Sequence, residues 1–545
     1  MKILTFVKKN LIIIVSGGIF LIWMLFLIIT SINSSLNPKF YDVLNQVDVS
    51  DQYTIETPGG RYIWEPFAAL NFLFVNNITA IVIVFVLAYV LFRILYLLFS
   101  RFIFKDSQKL KTIAPFIRKV VNFYPKYFGW LFLVGFAIVG ISYLAGGFLW
   151  ANNIFMDVLQ VFIIIWTVVY IAKIFHVALY FFSKKAKLRV RPQQRWKSLS
   201  KKDKKYWKHK IPAVISREFR YSLFALATMA LLLTNSLTIH YPTQTIRPLN
   251  SGPDEFLCDF HCHTLVSDGW ITVQERIDWY VEQGIDIIAL TDHENTLGVQ
   301  QAREYAVSKG YDITILYGQE FTYYEPYIHL NIFGLEKVYV PESLEGYPGD
   351  PWGQDRYPNQ MNLTDMITDV HANGGWVIVN HYKYDPGDDA PYTYQQLMDW
   401  GVDGFEIVNG GYRYGEARDF CVSNSLICVA STDEHLNGEI NTFTRIKLAD
   451  PNNRTVDAVF NALKNHSTTQ CVDIEKYEDK IKFPEWASDL DFIEDFSNYF
   501  LSIDPLQSLS WMLWSFGGFI LLIAIFNWLK KLKVGKIESK IEVDP

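Results

Sequence analysis

The chain has 545 residues and a formal net charge of −6, and half of its residues are hydrophobic. This length allows more than one structural unit. The hydrophobic content is high for a soluble enzyme and argues against a chain that consists only of a soluble domain. The excess of apolar residues is concentrated in separate runs along the sequence.

Six of these apolar runs are long enough to cross a bilayer, which requires about 20 consecutive apolar residues in a helix. They predict an α-helical transmembrane region of about six spans. The first run is not followed by a small-x-small cleavage site, so it predicts a signal anchor rather than a cleaved signal peptide. The six runs lie near residues 11–31, 78–99, 128–149, 155–181, 221–239 and 509–529.

Lysine and arginine residues are concentrated beside alternate spans, and such residues favour the cytoplasmic side of a membrane. The basic loops 100–127 and 183–220 are therefore expected to face the cytoplasm, together with both termini. Residues 240–508 would then lie outside the cytoplasm, in a multi-pass protein of the cell membrane. The 183–220 loop is expected to lie against anionic lipid headgroups, although a solvated topology signal explains it equally well.

The segment 241–505 contains 16 Lys and Arg residues against 44 Asp and Glu residues. Such an acidic segment repels polyphosphate, so nucleic acid is not an expected ligand. The five cysteines include no CxxC pair, and their odd number leaves at least one thiol without a disulfide. Cys421 and Cys428 either form a disulfide or are buried as small apolar residues.

From residue 256 onward, short apolar runs alternate with amphipathic helices. Repeated strand–helix units favour a mostly parallel sheet, and about seven units in roughly 220 residues suit a closed barrel better than an open sheet. The strands are predicted at 256–263, 285–292, 313–320, 329–333, 376–381, 405–409, 427–432 and 442–447. The helices are predicted at 273–283, 299–308, 363–372, 394–400, 416–423 and 456–465.

Side chains that can bind a metal stand at the ends of most of these strands, where a parallel barrel collects its catalytic residues. His261 and His263 alternate with Cys262, so the two histidines share one face and Cys262 points away. A set of nitrogen and oxygen donors without cysteine favours zinc, manganese or iron, and a carboxylate such as Glu320 can bridge two ions. The candidate ligands are His261, His263, Asp268, His293, Glu320, His329, His381, Asp433 and His435.

These residues belong to short motifs that resemble the PHP superfamily (polymerase and histidinol phosphatase domains) in order and spacing over about residues 256–470. The resemblance implies a distorted (β/α)7 barrel with two or three divalent metal ions. In Asn380-His381-Tyr382 the chain departs from the Ala-His-Pro that members often show, although the ligand is retained. The motifs are His261-Cys262-His263-Thr264, Ser267-Asp268-Gly269, Leu290-Thr291-Asp292-His293, Gly318-Gln319-Glu320, Asn380-His381 and Ser431-Thr432-Asp433-Glu434-His435.

By the same resemblance, the nine candidates divide into three ligand sets. The first ion would be held by His261, His263, Glu320 and Asp433. The second would be held by Asp268, His293 and His435, and the third by Glu320, His329 and His381.

The resemblance further implies hydrolysis of a phosphate mono- or diester by a metal-bound hydroxide. Arg413 is predicted to orient the phosphate and take part in catalysis, and Lys383 to bind substrate, because a guanidinium or ammonium group suits phosphate oxygens. Surface ion pairs are the alternative for both residues. The expected substrate is a phosphorylated small molecule or a lipid-linked phosphate, with membrane lipids as further partners.

Two other functions remain open from the sequence. The same metal site could hydrolyse an amide, a carbamate or a carboxylic ester, or the domain could be a non-catalytic metal-binding receptor module. The oligomeric state is left open. The predicted organisation is a transmembrane region at 1–240, a PHP-like metallohydrolase domain at 250–475, a linker at 476–508, a transmembrane helix at 509–529 and a cytoplasmic tail at 530–545.

Overall fold

The structure is a computed structural model in which ten helices and sixteen strands are described. The described residues are 2–33, 38–76, 240–324, 327–342, 360–382, 391–436, 438–476, 481–484 and 491–531, with a few helical positions at 84, 87–89, 91, 137 and 140–141. The helices are α1 Lys2–Asn33, α2 Gly59–Asn76, α3 Val273–Gln283, α4 Leu297–Lys309, α5 Leu363–Ala372, α6 Tyr394–Trp400, α7 Gly415–Ser423, α8 Val456–Leu463, α9 Asp491–Ser502 and α10 Pro505–Lys531.

The strands begin before the region where the sequence predicts them. They are β1 Lys39–Asp42, β2 Val47–Asp48, β3 Tyr53–Glu56, β4 Thr245–Pro248, β5 Glu255–Asp259, β6 Ile287–Leu290, β7 Thr314–Tyr324, β8 Tyr327–Phe333, β9 Val340–Pro341, β10 Gln360–Met361, β11 Trp376–Val379, β12 Gly404–Asn409, β13 Tyr412–Arg413, β14 Ile427–Ser431, β15 Thr442–Lys447 and β16 Gln470–Glu475.

Twelve of these strands form one mixed sheet in the order β13-β12-β11-β8-β7-β6-β5-β15-β16-β1-β2, with β14 paired to β12. The neighbours β5, β6 and β7 are parallel, as are β11, β12 and β14. Strand β8 runs antiparallel between β7 and β11, and β15 runs antiparallel to both β5 and β16. The sheet is therefore mixed rather than mostly parallel, and it is consistent with a PHP-type (β/α) fold.

The far edge of the sheet is made by residues distant in sequence from the rest. Strand β1 pairs with β16, with Lys39 opposite Glu475, and β2 pairs with β1. Phe40 and Tyr53 from this N-terminal part are buried in the same hydrophobic cluster as Phe443 and Val472. Residues within the predicted transmembrane region thus contribute to the core of the hydrolase sheet.

Strands β14 and β15 approach each other without forming a backbone ladder between their described residues. Thr444 joins them instead. Its Oγ1 accepts a hydrogen bond from the Ala430 backbone N–H at 2.8 Å and donates one to the Ala430 carbonyl oxygen at 2.8 Å. Because Thr444 is fully buried, no water can replace these bonds easily.

We expect Thr444→Val to lower the free energy of unfolding by about 1–3 kcal/mol, because an isosteric methyl leaves the buried Ala430 N–H without an acceptor. Urea unfolding monitored by circular dichroism measures the change. Thr368→Val on the exposed face of α5, where the hydroxyl donates to the Thr364 carbonyl oxygen of the same helix, is the matched control and should change stability by less than about 0.5 kcal/mol. Equal effects of the two substitutions would contradict the role of Thr444.

Helices α1, α2, α9 and α10 pack together through a separate hydrophobic cluster. The Trp23 indole N–H of α1 also donates a hydrogen bond to Ser515 of α10 at 2.9 Å. The buried members of this cluster are Leu27, Ala69, Tyr499, Phe500, Ile503 and Trp511.

The predicted transmembrane region is contradicted. Across the described part of the chain, no helix combines the length and the apolarity needed to cross a bilayer. The predicted spans 11–31 and 509–529 fall in α1 and α10, while the four between residues 78 and 239 lie almost entirely outside the described residues.

The fold class is therefore wrong in its transmembrane part, and so is the localisation as a multi-pass membrane protein with an extracytoplasmic domain. The physical reason is that a run of apolar residues serves equally well to pack a helix against other helices. Leu27 and Trp511 are buried in this way, whereas Leu21 and Leu513 of the same two helices are exposed. Polar side chains such as Thr30 and Ser515 also occur within these helices. The finding also leaves the predicted contacts with membrane lipids without support.

Candidate metal centre

The nine candidate ligands come together at one end of the sheet. His261 and His263 follow β5, and Asp268 lies in the loop after them. Glu320 and His329 lie within β7 and β8, and the remaining candidates follow β6, β11 and β14. Four groups have ligand atoms within 4.8 Å of one another. They are His263, Asp268, His293 and His435; His261, His381 and Asp433; His261, His263 and Glu320; and Glu320, His329 and His381.

The first part of this cluster contains the buried His261, His263 and Glu320, together with Asp433. Glu320 Oε2 lies 3.3 Å from His261 Nε2 and 3.2 Å from His263 Nε2. Asp433 Oδ1 lies 3.3 and 3.1 Å from the same two nitrogens. Asp433 Oδ1 is nevertheless buried without a hydrogen-bond partner. Donor atoms that converge closely without hydrogen-bond geometry fit ligands arranged around an ion.

A second, more exposed part contains Asp268, His293 and His435. Asp268 Oδ2 lies 3.5 Å from His293 Nε2 and 3.3 Å from His435 Nε2. His263 Nδ1 lies 3.4 Å from Asp268 Oδ1, so His263 stands between the first and second sets. The predicted second set did not include His263.

The third part joins Glu320 with His329 and His381. Glu320 Oε1 lies 2.7 Å from His329 Nδ1 and 3.5 Å from His381 Nε2. His329 Nε2 is buried and has no hydrogen-bond partner among the described residues. An orphaned nitrogen beside an imidazole and a carboxylate fits a ligand atom, because buried polar atoms are otherwise nearly always satisfied.

Two of the candidate ligands have a strained backbone. Asp433 has a φ of 53° and His381 a φ of 24°, in the left-handed region that residues with a Cβ atom rarely adopt. Such strain costs of the order of 1–3 kcal/mol per residue and persists where the surrounding structure imposes it. It is common at functional sites, and here it falls on two of the residues that converge on one point.

The charges of the cluster reinforce one another. Burial raises the pKa of Glu320, but the imidazoles of His261, His329 and His293 outweigh it and hold this pKa well below its usual range. The pKa values of Asp268 and Asp433 are also lowered, because histidines beside them outweigh burial. All three carboxylates are therefore anionic and ready to bind cations.

Glu406 was not among the residues predicted from the sequence, and it is buried beside the candidate ligands. Its Oε1 lies 2.9 Å from His261 Nδ1, and its Oε2 accepts hydrogen bonds from the His381 backbone N–H at 2.9 Å and from Asn409 at 3.0 Å. A carboxylate on the second nitrogen of a ligand histidine fixes its tautomer and its orientation. The signal that could have found it is the single charged residue of the fully buried strand β12.

We expect Glu406→Gln to weaken divalent-metal affinity by about 10- to 100-fold, the usual cost of losing an outer-shell partner. The amide presents a donor where the carboxylate only accepts, so His261 or the His381 backbone loses its partner. Competition titration with a metal indicator measures the affinity. Glu416→Gln, on the exposed face of α7, is the control, and an unchanged affinity in Glu406→Gln would contradict the role.

Asp259 and Asp292 orient the loops that carry the ligands. Asp292 accepts hydrogen bonds from the Thr264 backbone N–H at 2.7 Å and from Ser267 at 2.8 Å, and so fixes the loop before Asp268. Asp259 accepts from the Tyr280 hydroxyl at 2.8 Å and from the backbone N–H groups of the residues that follow β5 and β14. Both carboxylates accept hydrogen bonds from backbone N–H groups and side-chain hydroxyls, and so hold the loops in place.

Arg413 forms ion pairs with two carboxylates of β16. Its Nε is 2.6 Å from Asp473 Oδ2, its Nη2 is 3.1 Å from Glu475 Oε1, and its guanidinium stacks 4.6 Å from the Tyr41 ring centre. It lines a cavity of about 950 Å³ whose lining includes none of the nine candidate ligands. Lys383 lies outside the described residues. The substrate roles of both residues stay predictions.

The cysteines take no part in the cluster. Cys262 is buried with its thiol 3.4 Å from the Ala289 carbonyl oxygen, and burial raises its pKa to about 12. It is therefore a neutral thiol turned away from the histidines on either side. All five cysteines are free and buried, so Cys421 and Cys428 form no disulfide.

Comparison with known proteins shows the class to which the site belongs. Residues 259–383, which contain seven of the nine candidate ligands, match the PHP domain family. The chain is similar to the 5′-3′ exoribonuclease Rnm of Salmonella typhimurium, with 31% identity over 118 residues that cover 22% of this chain and 40% of the relative. Rnm of Escherichia coli is 31% identical over 77 residues, which cover 14% of this chain and 26% of the relative. The chain thus spans less than half the length of these curated relatives.

Among solved structures, the chain is similar to a two-domain protein of Bacteroides vulgatus described as "containing predicted PHP-like metal-dependent phosphoesterase". The two are 22% identical, the likeness covers 40% of this chain and 64% of that chain, and the TM-score is 0.32. A TM-score this low bears neither on the fold nor on the function.

The sequence matches support the resemblance to the PHP superfamily. They confirm the predicted enzyme class, a metal-dependent hydrolase. Together with the clusters of histidines and carboxylates, they also support divalent metal ions as cofactors.

Proposed function

We propose that the chain is a phosphoesterase that hydrolyses a phosphate mono- or diester at a cluster of two or three divalent ions. One observation carries the proposal: the buried carboxylate of Glu320 has an oxygen within 3.5 Å of a ring nitrogen of five different histidines. A carboxylate in that position is suited to bridge ions. The histidines are His261, His263, His293, His329 and His381.

The side chains around Glu320 determine which metal ions the site would favour. Nitrogen and oxygen donors without thiolate favour zinc, manganese or iron. Divalent ions in such a cluster supply Lewis acidity to phosphate oxygens and lower the pKa of water. The protein holds the ligand rings in place, with Glu406 beside His261 and the Thr322 hydroxyl 2.7 Å from His293 Nδ1.

Two observations bear on the choice between a monoester and a diester, and they favour different kinds of substrate. The curated relatives are named exoribonucleases, and RNA is linked by phosphodiesters, which supports a diester. The acidic segment 241–505, with 44 acidic against 16 basic residues, disfavours a long polyanion. Because the relatives are named exoribonucleases, the predicted absence of nucleic acid is not confirmed. A short or singly charged phosphodiester agrees with both observations.

The test supplies the purified chain with zinc, manganese or iron(II) and compares four substrates. These are bis(p-nitrophenyl) phosphate, p-nitrophenyl phosphate, p-nitrophenyl acetate and a 5′-labelled oligoribonucleotide. We expect metal-dependent cleavage of a phosphate ester that is lost in Asp268→Ala and kept in the exposed control Asp419→Asn. Cleavage of the acetate alone would favour the carboxylic-ester alternative. A folded, metal-loaded protein that cleaves none of the four would overturn the proposal.

A further inference from the structure

A buried arginine of α2 contacts the segment that follows the last candidate ligand. The Arg61 side chain is 1% exposed, and its Nη2 lies 3.6 Å from Glu439 Oε1. Its Nε lies 2.9 Å from Glu65, one helical turn further along α2. Arg61 is outside the region that matches the PHP domain, whereas Glu439 follows His435 by four residues.

The described residues that follow Asp433, 434–436 and 438–439, are held from the hydrolase side near their start. Arg276 Nη2 of α3 donates to the Glu434 carbonyl oxygen at 2.7 Å and to the Leu436 carbonyl oxygen at 3.2 Å. The Trp279 indole N–H donates to the Gly438 carbonyl oxygen at 2.8 Å. These bonds fix the inner face of the segment.

The far end of the segment is held by charge. Glu439 is 9% exposed, with Lys476 Nζ 3.2 Å from its Oε2 and Arg61 near its Oε1. Burial raises the pKa of Glu439, but Lys476 and Arg61 outweigh it and keep the pKa below its usual value. The carboxylate is therefore ionised, and a buried charge of this kind depends strongly on its partners.

The second ligand group is the one that needs such support. His261, His263 and Glu320 are at most 1% exposed, so packing fixes their side chains. Asp268 and His435 are 54% and 33% exposed. The His435 ring stacks on His263 with ring centroids 4.1 Å apart, and its carbonyl oxygen accepts a hydrogen bond from the Trp270 backbone N–H at 2.7 Å. Its other ring face is partly open to solvent, so its position also depends on the backbone of the segment that carries it.

We propose that Arg61 is a positioning residue for the metal centre: by clamping Glu439, it holds the segment that places His435. The second ion site is then complete only when α2 is docked against the hydrolase sheet. This inference rests on the proposed metal centre but not on the identity of the substrate. It gives α2, which lies outside the region that matches the PHP domain, a role in metal binding.

Cobalt(II) titration of the full chain, followed by its visible absorption, tests the proposal. Arg61→Met should weaken the ion of the Asp268, His293 and His435 group by about 10-fold, the lower end of the cost of losing a direct partner of a ligand, because Arg61 acts through the segment. The ion of the first group should be unchanged. Glu439→Gln should act in the same way, and the double variant should be no worse than either single one. Arg61→Lys should recover part of the affinity. Arg247→Met, at an exposed ion pair with Glu56, should bind cobalt like the parent chain.

A purely structural role for Arg61 predicts a lower melting temperature with both cobalt affinities unchanged, and that result would overturn the proposal. Equal weakening of both ions would also overturn it. If Arg61→Met does not fold, Glu439→Gln decides, because its amide oxygen still accepts from Lys476. A chain that binds cobalt as expected but cleaves no phosphate ester would refute the proposed function and leave this inference intact.

Discussion

Replacing Glu320 with glutamine is expected to reduce hydrolysis by at least about 100-fold and to lower the number of bound metal ions per chain. The reason is that its two oxygens face five histidines and stand at the junction of two of the four ligand groups. The loss should exceed the 10- to 100-fold cost of removing an outer-shell partner. Metal content by mass spectrometry and kcat/KM for the cleaved phosphate ester measure the two effects.

Glutamine is chosen because it preserves the packing of this buried position. Its amide oxygen can still accept the hydrogen bond that Asn380 donates to Glu320 Oε1 at 3.0 Å. Glu304→Gln, at an exposed position of α4 where the carboxylate accepts a hydrogen bond from Gln300, is the matched control and should keep full activity and metal. A Glu320→Gln protein with the parent metal content and a rate within twofold of the parent would contradict the bridging position.

Chelation is the second change expected to have a large effect. Removing divalent ions should abolish hydrolysis, and adding them back should restore it. Because a ligand that binds only the folded state stabilises it, ions present at about 100 times their dissociation constant add about 2.7 kcal/mol to the free energy of unfolding. Differential scanning calorimetry with and without EDTA measures the shift in melting temperature.

The difference in melting temperature between the metal-loaded and the EDTA-treated chain should become larger as the pH rises through neutrality. Burial alone lowers the pKa of His261, but Asp433, Glu320 and Glu406 outweigh it and raise the pKa well above 6.5 in the metal-free chain. Protons therefore compete with metal. The pKa values of four other candidates are raised in the same sense, because neighbouring carboxylates outweigh burial. They are His263, His293, His381 and His435.

The stability of the metal-free chain should decrease as the pH rises, whereas the stabilisation by metal should increase. Histidines with a raised folded pKa contribute stability that is present below their unfolded pKa of about 6.5 and is lost as the pH rises through the folded pKa. The melting temperature in EDTA should therefore fall with rising pH, while the melting temperature of the metal-loaded chain should change little. His329, whose pKa burial lowers, acts against this trend. A shift that narrows between about pH 6 and pH 8 would contradict the assignment of the histidines as ligands.

Local patterns in the sequence predicted the secondary structure of the hydrolase region well. The helices at 273–283, 363–372 and 394–400 lie at the predicted bounds, since helical periodicity and caps act within a few residues. Thr272 and Glu275, for example, form a capping box at the start of α3. The strand from 442 to 447 is likewise at its predicted bounds.

The strand order was not accessible to the same reasoning. Strand β8 inserts antiparallel between β7 and β11, and Lys39–Asp42 joins the sheet beside a strand more than 400 residues later. Pairing over such distances depends on which edges are free after the rest of the sheet has formed. The apolar runs in α1 and α10 predict membrane spans for a related reason. The hydrophobicity of a helix does not show whether lipid or other helices cover its apolar side chains.

The sequence by itself determined which side chains could bind metal, because alternation along a strand places His261 and His263 on one face and Cys262 on the other. Only the tertiary structure decided which of them meet: it brings five histidines around Glu320, adds His263 to the second group and sets Glu406 behind His261. It also gave Arg413 ion-pair partners from β16 and placed Arg61 next to Glu439. These are distances between residues far apart in the chain, and only the complete packing of the strands and helices determines them.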